Sequence, residues 1–139
     1  MQTIQRQLRE DGVCVLTFDR PESPANIFDR KTLEELDSHI TAVAQPDLAV
    51  KGLVLISAKP AIFIAGADLK ALESMSGKEL SMFIELGQNV FSRIAALPYP
   101  TVAAINGACV GGGYEVALAC DWRVASPEKS TKIGLPETK

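Results

Sequence analysis

Three consecutive glycines stand inside the run Ile105-Asn106-Gly107-Ala108-Cys109-Val110-Gly111-Gly112-Gly113-Tyr114-Glu115. Glycines in a row lose much backbone entropy on folding, so the fold must require that backbone, through an unusual φ/ψ or a close approach by another group. The residues that follow, Tyr114-Glu115-Val116-Ala117-Leu118-Ala119, read as a helix. A glycine run that opens a helix leaves the first N–H groups without intrahelical acceptors and turns the positive end of the dipole outward. A negative oxygen fits such a place, whether it belongs to a phosphate or to a reacting carbonyl. Packing of the helix start against a neighbour would explain the glycines as well.

The neighbours narrow the choice. A phosphate loop needs Gly-x-x-x-x-Gly-Lys-Ser/Thr, and no Lys-Ser or Lys-Thr follows these glycines. A dinucleotide fingerprint needs Gly-x-Gly-x-x-Gly, which Gly111-Gly112-Gly113 does not fit. Serine hydrolysis needs a base; His39 is the only histidine, it falls within a predicted helix, and no Gly-x-Ser-x-Gly is present. His39 reads as a surface or rim residue. Two carboxylates without metal ligands could instead run acid/base chemistry. Glu115 is a candidate, although a Glu in the first turn of a helix is also favoured by the dipole and by capping. Asp68 reads as a helix cap, Glu137 as a loop carboxylate and Arg20 as a surface charge. A net charge of −3 offers no basic patch for nucleic acid or an anionic membrane. The residues alone thus point to an α/β domain with an oxyanion-type helix start and nearby carboxylates.

Residues 4–9 and 13–18 alternate in character around Asp11-Gly12, which predicts an antiparallel hairpin. Asp19-Arg20-Pro21-Glu22-Ser23-Pro24 reads as a loop by its prolines. Asp29 is the predicted N-cap of a helix on which Leu33, Leu36, Ile40 and Val43 recur at helical spacing. Gly52-Leu53-Val54-Leu55-Ile56-Ser57 predicts a strand buried on both faces. Strand, helix and strand in that order imply a crossover and a partly parallel sheet. Asp68 is placed to cap a short helix over 69–73. Ser76-Gly77-Lys78-Glu79 has the form of a capping box. The long helix behind it carries Leu80, Phe83, Ile84, Val90, Phe91 and Ile94 on one side, with Gly87 on the same face. Residues 101–105 read as a buried strand, 122–125 as another, 126–130 as a turn and 131–133 as a further short strand.

Cys14, Cys109 and Cys120 lie in apolar contexts with no Cys-x-x-Cys or Cys/His spacing, so they read as buried thiols in a reducing compartment. No apolar run reaches the ~18 residues of a bilayer span. The first residues carry no secretory apolar region. A cytoplasmic protein is the expectation.

Phe63-Ile64-Ala65-Gly66-Ala67-Asp68-Leu69, then Pro100-Thr101-Val102-Ala103-Ala104 leading into the glycine run, then Ala119-Cys120-Asp121, resemble the enoyl-CoA hydratase/isomerase (crotonase) family. The ending, Ile133-Gly134-Leu135-Pro136-Glu137-Thr138-Lys139, is similar to the N-terminal hydratase segment of multifunctional fatty-acid oxidation α subunits. The resemblance covers essentially the whole chain and implies a spiral of strand–strand–helix units. It maps an oxyanion hole onto the backbone N–H groups of Ala67 and Gly112, and two catalytic glutamates onto Glu115 and Glu137. It places substrate-binding backbone at Ala65, Gly66, Asp68 and Gly111, with the segment around Ala65 and Ala67 lining the adenine side of the coenzyme A site.

The implied activity is hydration of 2-trans-enoyl-CoA to 3-hydroxyacyl-CoA in fatty-acid β-oxidation. The two glutamates would hold the water, and two carboxylates so close should titrate as a coupled pair. No metal or redox cofactor is implied, since coenzyme A belongs to the substrate. Two other readings stand beside it: a Δ3–Δ2 enoyl-CoA isomerase, which needs one carboxylate, and a non-catalytic acyl-CoA-binding fragment. The interval from Glu115 to Glu137 is 137 − 115 = 22 residues, with the excess over the family's spacing assigned to the turn at 126–130. The family domain continues past Lys139 with another spiral turn and C-terminal helices that cover the acyl pocket. Residues 1–139 are therefore expected to form the N-terminal part of one such domain, truncated at the C-terminus, with weak or no turnover by itself. The resemblance further implies a trimer or hexamer, or, in the multifunctional form, a complex with a thiolase subunit. It implies no membrane partner. An RNA-binding role occurs in the superfamily, and the acidic balance does not support one here.

Overall fold

The Asp11-Gly12 turn folds the chain back on itself, with the Asp11 carboxylate accepting from the Val13 N–H at 3.0 Å. Strand β1 (Ile4–Leu8) thereby pairs antiparallel with β2 (Val13–Phe18), Ile4 opposite Phe18 and Leu8 opposite Cys14. The structure is a computed structural model and describes residues 2–67 and 69–134.

From β2 the chain crosses over through helix α1 (Arg30–Val43) to β3 (Gly52–Ser57), which lies parallel to β2. Asp29 caps α1 as expected: its backbone is extended and its carboxylate accepts from the Thr32 N–H at 2.8 Å. Leu33, Leu36, Ile40 and Val43 are buried along one stripe. Strand β5 (Thr101–Ile105) adds parallel to β3, and β7 (Trp122–Ala125) adds parallel to β5. The five-stranded sheet runs β1-β2-β3-β5-β7. Thr101 and Asp121 lock the starts of its last two strands together, since the Asp121 carboxylate accepts the Thr101 N–H at 3.0 Å and the Thr101 hydroxyl accepts the Asp121 N–H at 2.8 Å.

A second, all-parallel sheet holds β4 (Ile62–Ile64), β6 (Ala108–Val110) and β8 (Ile133–Gly134), in the order β4-β6-β8. Helix α2 (Leu69–Glu73) is short, α3 (Gly77–Ala95) is long, and α4 (Gly112–Ala119) follows the glycines. The capping box of α3 is formed: Ser76 Oγ accepts from Glu79 N–H at 3.1 Å, and Glu79 Oε1 accepts from Ser76 N–H at 3.2 Å. Helix α3 packs on α1 and α4. Phe18, Phe28 and Phe91 meet edge to face, with ring centroids 6.1 and 5.6 Å apart.

Three sequence expectations need correction. Strand β3 is not buried on both faces: Leu53 and Leu55 are buried while Val54 and Ile56 are half-buried, because the second face of the sheet is only partly covered within the described residues. Strand β6 is an addition, since residues 108–110 carry no strand signal of their own between the Asn106-Gly107 dipeptide and the glycines. It exists because β4 and β8 pair with it on either side. Strand β8 begins at Ile133 rather than at Thr131. Ile84 is 49% exposed, because it lies over a cleft rather than in the core. The expected capping by Asp68 lies outside the described residues. All three cysteines are buried and free. No helix among the described residues is long and apolar enough to cross a membrane.

Candidate functional site

The glycines divide the two explanations between them. Gly111 has φ 54° and ψ −123°, a backbone strained for any residue with a Cβ, and it carries the chain from β6 into α4. Its N–H donates to the Gly134 carbonyl at 3.2 Å, and its own carbonyl accepts from the Glu115 N–H at 3.0 Å. Gly113 answers to packing: a Cβ there would lie 2.2 Å from the Ile64 carbonyl oxygen, so the helix start rests directly on β4. Gly112 is the residue left for chemistry. Its N–H has no acceptor among the described residues, and its Cα faces the ring of Phe28.

Ala67 lies just past β4. The Phe28 N–H donates to the Gly66 carbonyl at 2.7 Å, and Phe28 and Ala67 form an isolated parallel bridge. That bond uses the Gly66 carbonyl and leaves the Ala67 N–H without an acceptor among the described residues. Ala67 and Gly112 line one cleft of about 170 Å³, and Glu115 lines it with them. Phe28, Leu33, Phe83 and Phe91 supply apolar wall, and Gly87 of α3 keeps its part of the wall low.

Glu115 sits in the first turn of α4 with its side chain exposed. It is not a cap: the N-cap is Gly111, which has no side-chain bond, and no hydrogen bond or ion pair holds the Glu115 carboxylate among the described residues. Two unpaired backbone donors and a carboxylate thus share one partly apolar cleft. Such a cleft can hold a carbonyl oxygen on its donors and move a proton on its carboxylate.

The structure does not bring every expected residue to the cleft wall. Ala65, Gly66 and Gly111 are the backbone that delivers the two donors: the Ala65 N–H donates to the Asn26 carbonyl at 2.8 Å, and Gly66 and Gly111 are bonded as described above. Asp68 and Glu137 lie outside the described residues. His39 lies against Arg6, 3.1 Å away, and does not line the cleft. Burial, and then the Arg6 charge, lower its pKa below the usual histidine value. Arg20 is more than a surface charge, since it bridges Asp29 at 3.0 Å in a partly buried pair. Burial opposes ionisation of Asp29, but the Thr32 N–H and the Arg20 guanidinium outweigh it and hold the carboxyl below its ordinary range.

Sequence reading missed Phe28 and Asn26, which lie between the proline-marked loop at 19–24 and the Asp29 cap. A signal for Phe28 was present. It directly precedes the Asp29 cap, and Leu33 is the fourth helical residue, the two positions of a hydrophobic staple. Both line the cleft.

The chain is also similar to known proteins. Residues 8–139 match the profile of the enoyl-CoA hydratase/isomerase family. The fatty acid oxidation complex subunit alpha of Idiomarina loihiensis is 42% identical over 134 residues, covering 96% of this chain and 19% of the relative. That of Aliivibrio fischeri is 40% identical over 131 residues, covering 94% of this chain and 19% of the relative. An enoyl-CoA hydratase from Bacillus anthracis superposes with a TM-score of 0.88 at 33% identity, covering 99% of this chain and 52% of that one. Human mitochondrial delta3-delta2-enoyl-CoA isomerase superposes with a TM-score of 0.90 at 32% identity, with the same shares covered. The chain therefore spans about a fifth of the length of these curated relatives and about half of these solved structures. With a profile match over nearly its whole length and a fold shared with solved members, the chain belongs to the enoyl-CoA hydratase/isomerase family.

Proposed function

We propose that the cleft binds a 2-trans-enoyl-CoA thioester and adds water to it. One observation carries this reading: the Ala67 and Gly112 N–H groups lack acceptors among the described residues and line the same cleft as Glu115. In hydration the water oxygen bonds to the β-carbon and the alkene π pair moves onto the thioester oxygen as an enolate. The two N–H donors take that charge, and losing one such donor costs about 2.7–4 kcal/mol of transition-state stabilisation. The N-terminal end of α4 adds its dipole. A carboxylate accepts the water's proton, and a proton delivered to the α-carbon returns the electron pair and completes 3-hydroxyacyl-CoA. Glu115 is one of the two carboxyl groups in this scheme, and Glu137 is the other by its place in the family pattern. Coenzyme A enters as part of the substrate, in a soluble homo-oligomer or a larger fatty-acid oxidation assembly.

The test is hydration of crotonyl-CoA, followed by loss of the enoyl absorbance. Glu115→Gln should lower kcat by about 10²–10⁴-fold, the range for a positioned acid/base group, while the thioester still binds. Measurable wild-type turnover that is undiminished in that variant would sink the reading. A second reading also has an observation behind it. Among the described residues that line the cleft, Glu115 is the only carboxylate, and moving a double bond from the 3- to the 2-position needs only one. A 3-enoyl-CoA substrate separates the two activities, since an isomerase forms the conjugated thioester without adding water.

A further inference from the structure

The loop between β2 and α1 contains a buried polar residue that the proposed chemistry does not use. Asn26 is 3% exposed. Its Oδ1 accepts from the Arg20 N–H at 3.0 Å. Its Nδ2 lies 3.1 Å from the Phe18 carbonyl, 2.9 Å from Ser57 Oγ and 3.0 Å from the Phe63 carbonyl. One amide side chain thus ties the ends of β2 and β3 to β4. Ser57 extends the tie, since its hydroxyl donates to the Ile62 carbonyl at 2.7 Å.

The backbone of the same segment continues the grip. The Asn26 carbonyl accepts from Ala65 N–H at 2.8 Å, and two residues on Phe28 N–H donates to Gly66 at 2.7 Å. Strand β4 is three residues long, and its pairing with β6 shifts register between Ile62 and Ile64. So short and irregular a ladder holds the segment that follows it weakly, whereas bonds from 26–28 reach Phe63, Ala65 and Gly66, the last of them directly before Ala67. The ring of Phe28 also lies against Gly112, where an added Cβ would come within 3.0 Å of Cδ2. Segment 26–28 therefore touches both donor residues, Ala67 by the backbone bridge and Gly112 by the ring.

We propose that Asn26 is a positioning residue: by anchoring segment 26–28 to β2, β3 and β4 it sets the direction of the Ala67 N–H and its spacing from the Gly112 N–H. This rests on the oxyanion reading given above. The geometry of paired donors must hold to within fractions of an ångström, and a misplacement of about 1 Å can cost about 10²-fold in rate. Asn26→Ala removes the anchor without touching the cleft wall.

The test uses the full chain and an aryl-conjugated enoyl-CoA, whose absorption moves to the red when its carbonyl oxygen accepts both N–H bonds. The wild-type chain should show that red shift on binding. Asn26→Ala should bind the same thioester within a few-fold in Kd but lose most of the red shift, and kcat for crotonyl-CoA hydration should fall by about 10²-fold with KM little changed. Ser57→Ala, which removes one of the groups bonded to Asn26, should give an intermediate shift and covers the case in which Asn26→Ala does not fold. A full red shift in either folded variant, or a loss of kcat no larger than the loss of folded protein, would overturn the positioning role. Absence of any red shift in the wild-type chain would instead overturn the oxyanion reading itself, and the positioning role with it.

Discussion

Gly113→Ala probes how the start of α4 is held. Unlike Gly111, Gly113 lies inside the helix, so the substitution acts through space and not through φ. A Cβ at this position would sit 2.2 Å from the Ile64 carbonyl oxygen and 2.9 Å from both the carbonyl carbon and Cβ of Ile64. Ordinary contacts between heavy atoms begin near about 3.5 Å, so the first turn of α4 must move away from β4 by about 1.3 Å. Neither neighbour is the flexible end of a side chain, and so both backbones share the strain. Overpacking of this kind costs about 1–3 kcal/mol. For a chain of this size that is a fall in Tm of about 4–12 °C. The displaced turn carries the Gly112 N–H and Glu115 with it, and a shift of about 1 Å in positioned groups costs about 10²-fold in kcat. Thermal unfolding followed by circular dichroism and crotonyl-CoA hydration measure the two effects. Gly77→Ala is the control, since a Cβ there meets nothing within 4 Å. It should keep full activity and gain up to about 1 kcal/mol of stability by restricting the unfolded chain. If Gly113→Ala unfolds within about a degree of the wild type and hydrates at a comparable rate, the contact between α4 and β4 does not position the site.

Two further outcomes are expected. Asp29→Ala should remove the α1 cap and its Arg20 pair, costing about 0.5–2 kcal/mol at neutral pH. Because the folded-state pKa of Asp29 is depressed, its contribution is full above the unfolded value of 3.8 and disappears as pH falls through the folded value. The variant's urea-unfolding stability should accordingly lose less than the wild type's over that acid range, and an unchanged acid limb would refute the assignment. Burial pushes the Cys109 and Cys120 thiols up to about 11 and raises that of Cys14 as well, with the Arg6 charge opposing it there. Alkylation at neutral pH should therefore be slow in the native protein and become rapid for all three thiols only on unfolding in denaturant, whereas fast native labelling would show that the burial is wrong.

Local signals were reliable where the physics is local. The Asp11-Gly12 turn, the Asp29 cap, the Ser76/Glu79 capping box and the apolar stripe of α1 each depend on residues within one or two helical turns, and all four form as the sequence predicts. Strand β6 was invisible because its three residues are held only by β4 and β8, which come from distant parts of the chain. Asn26 carries no local signal, and its burial appears only when β2, β3 and β4 converge on it.

By itself, the sequence determined that a backbone without side chains must open a helix, that Glu115 must stand in that helix's first turn, and that strands and helices must alternate around it. Spacing and backbone stereochemistry are enough for those. Spacing alone did not separate the three glycines, although the family resemblance singled out Gly112 as a donor. Only the tertiary structure assigned Gly111 to an unusual φ/ψ, Gly113 to contact with Ile64, and Gly112 to an N–H without an acceptor among the described residues. The resemblance implied the pairing of Gly112 with Ala67, and the tertiary structure supplies its physical basis. The two residues are 112 − 67 = 45 positions apart in the chain, and they share a cleft because β4 and β6 pair side by side and carry the two turns to the same place. A donor's availability depends on what surrounds it, and that is settled by packing between segments and not by any one of them.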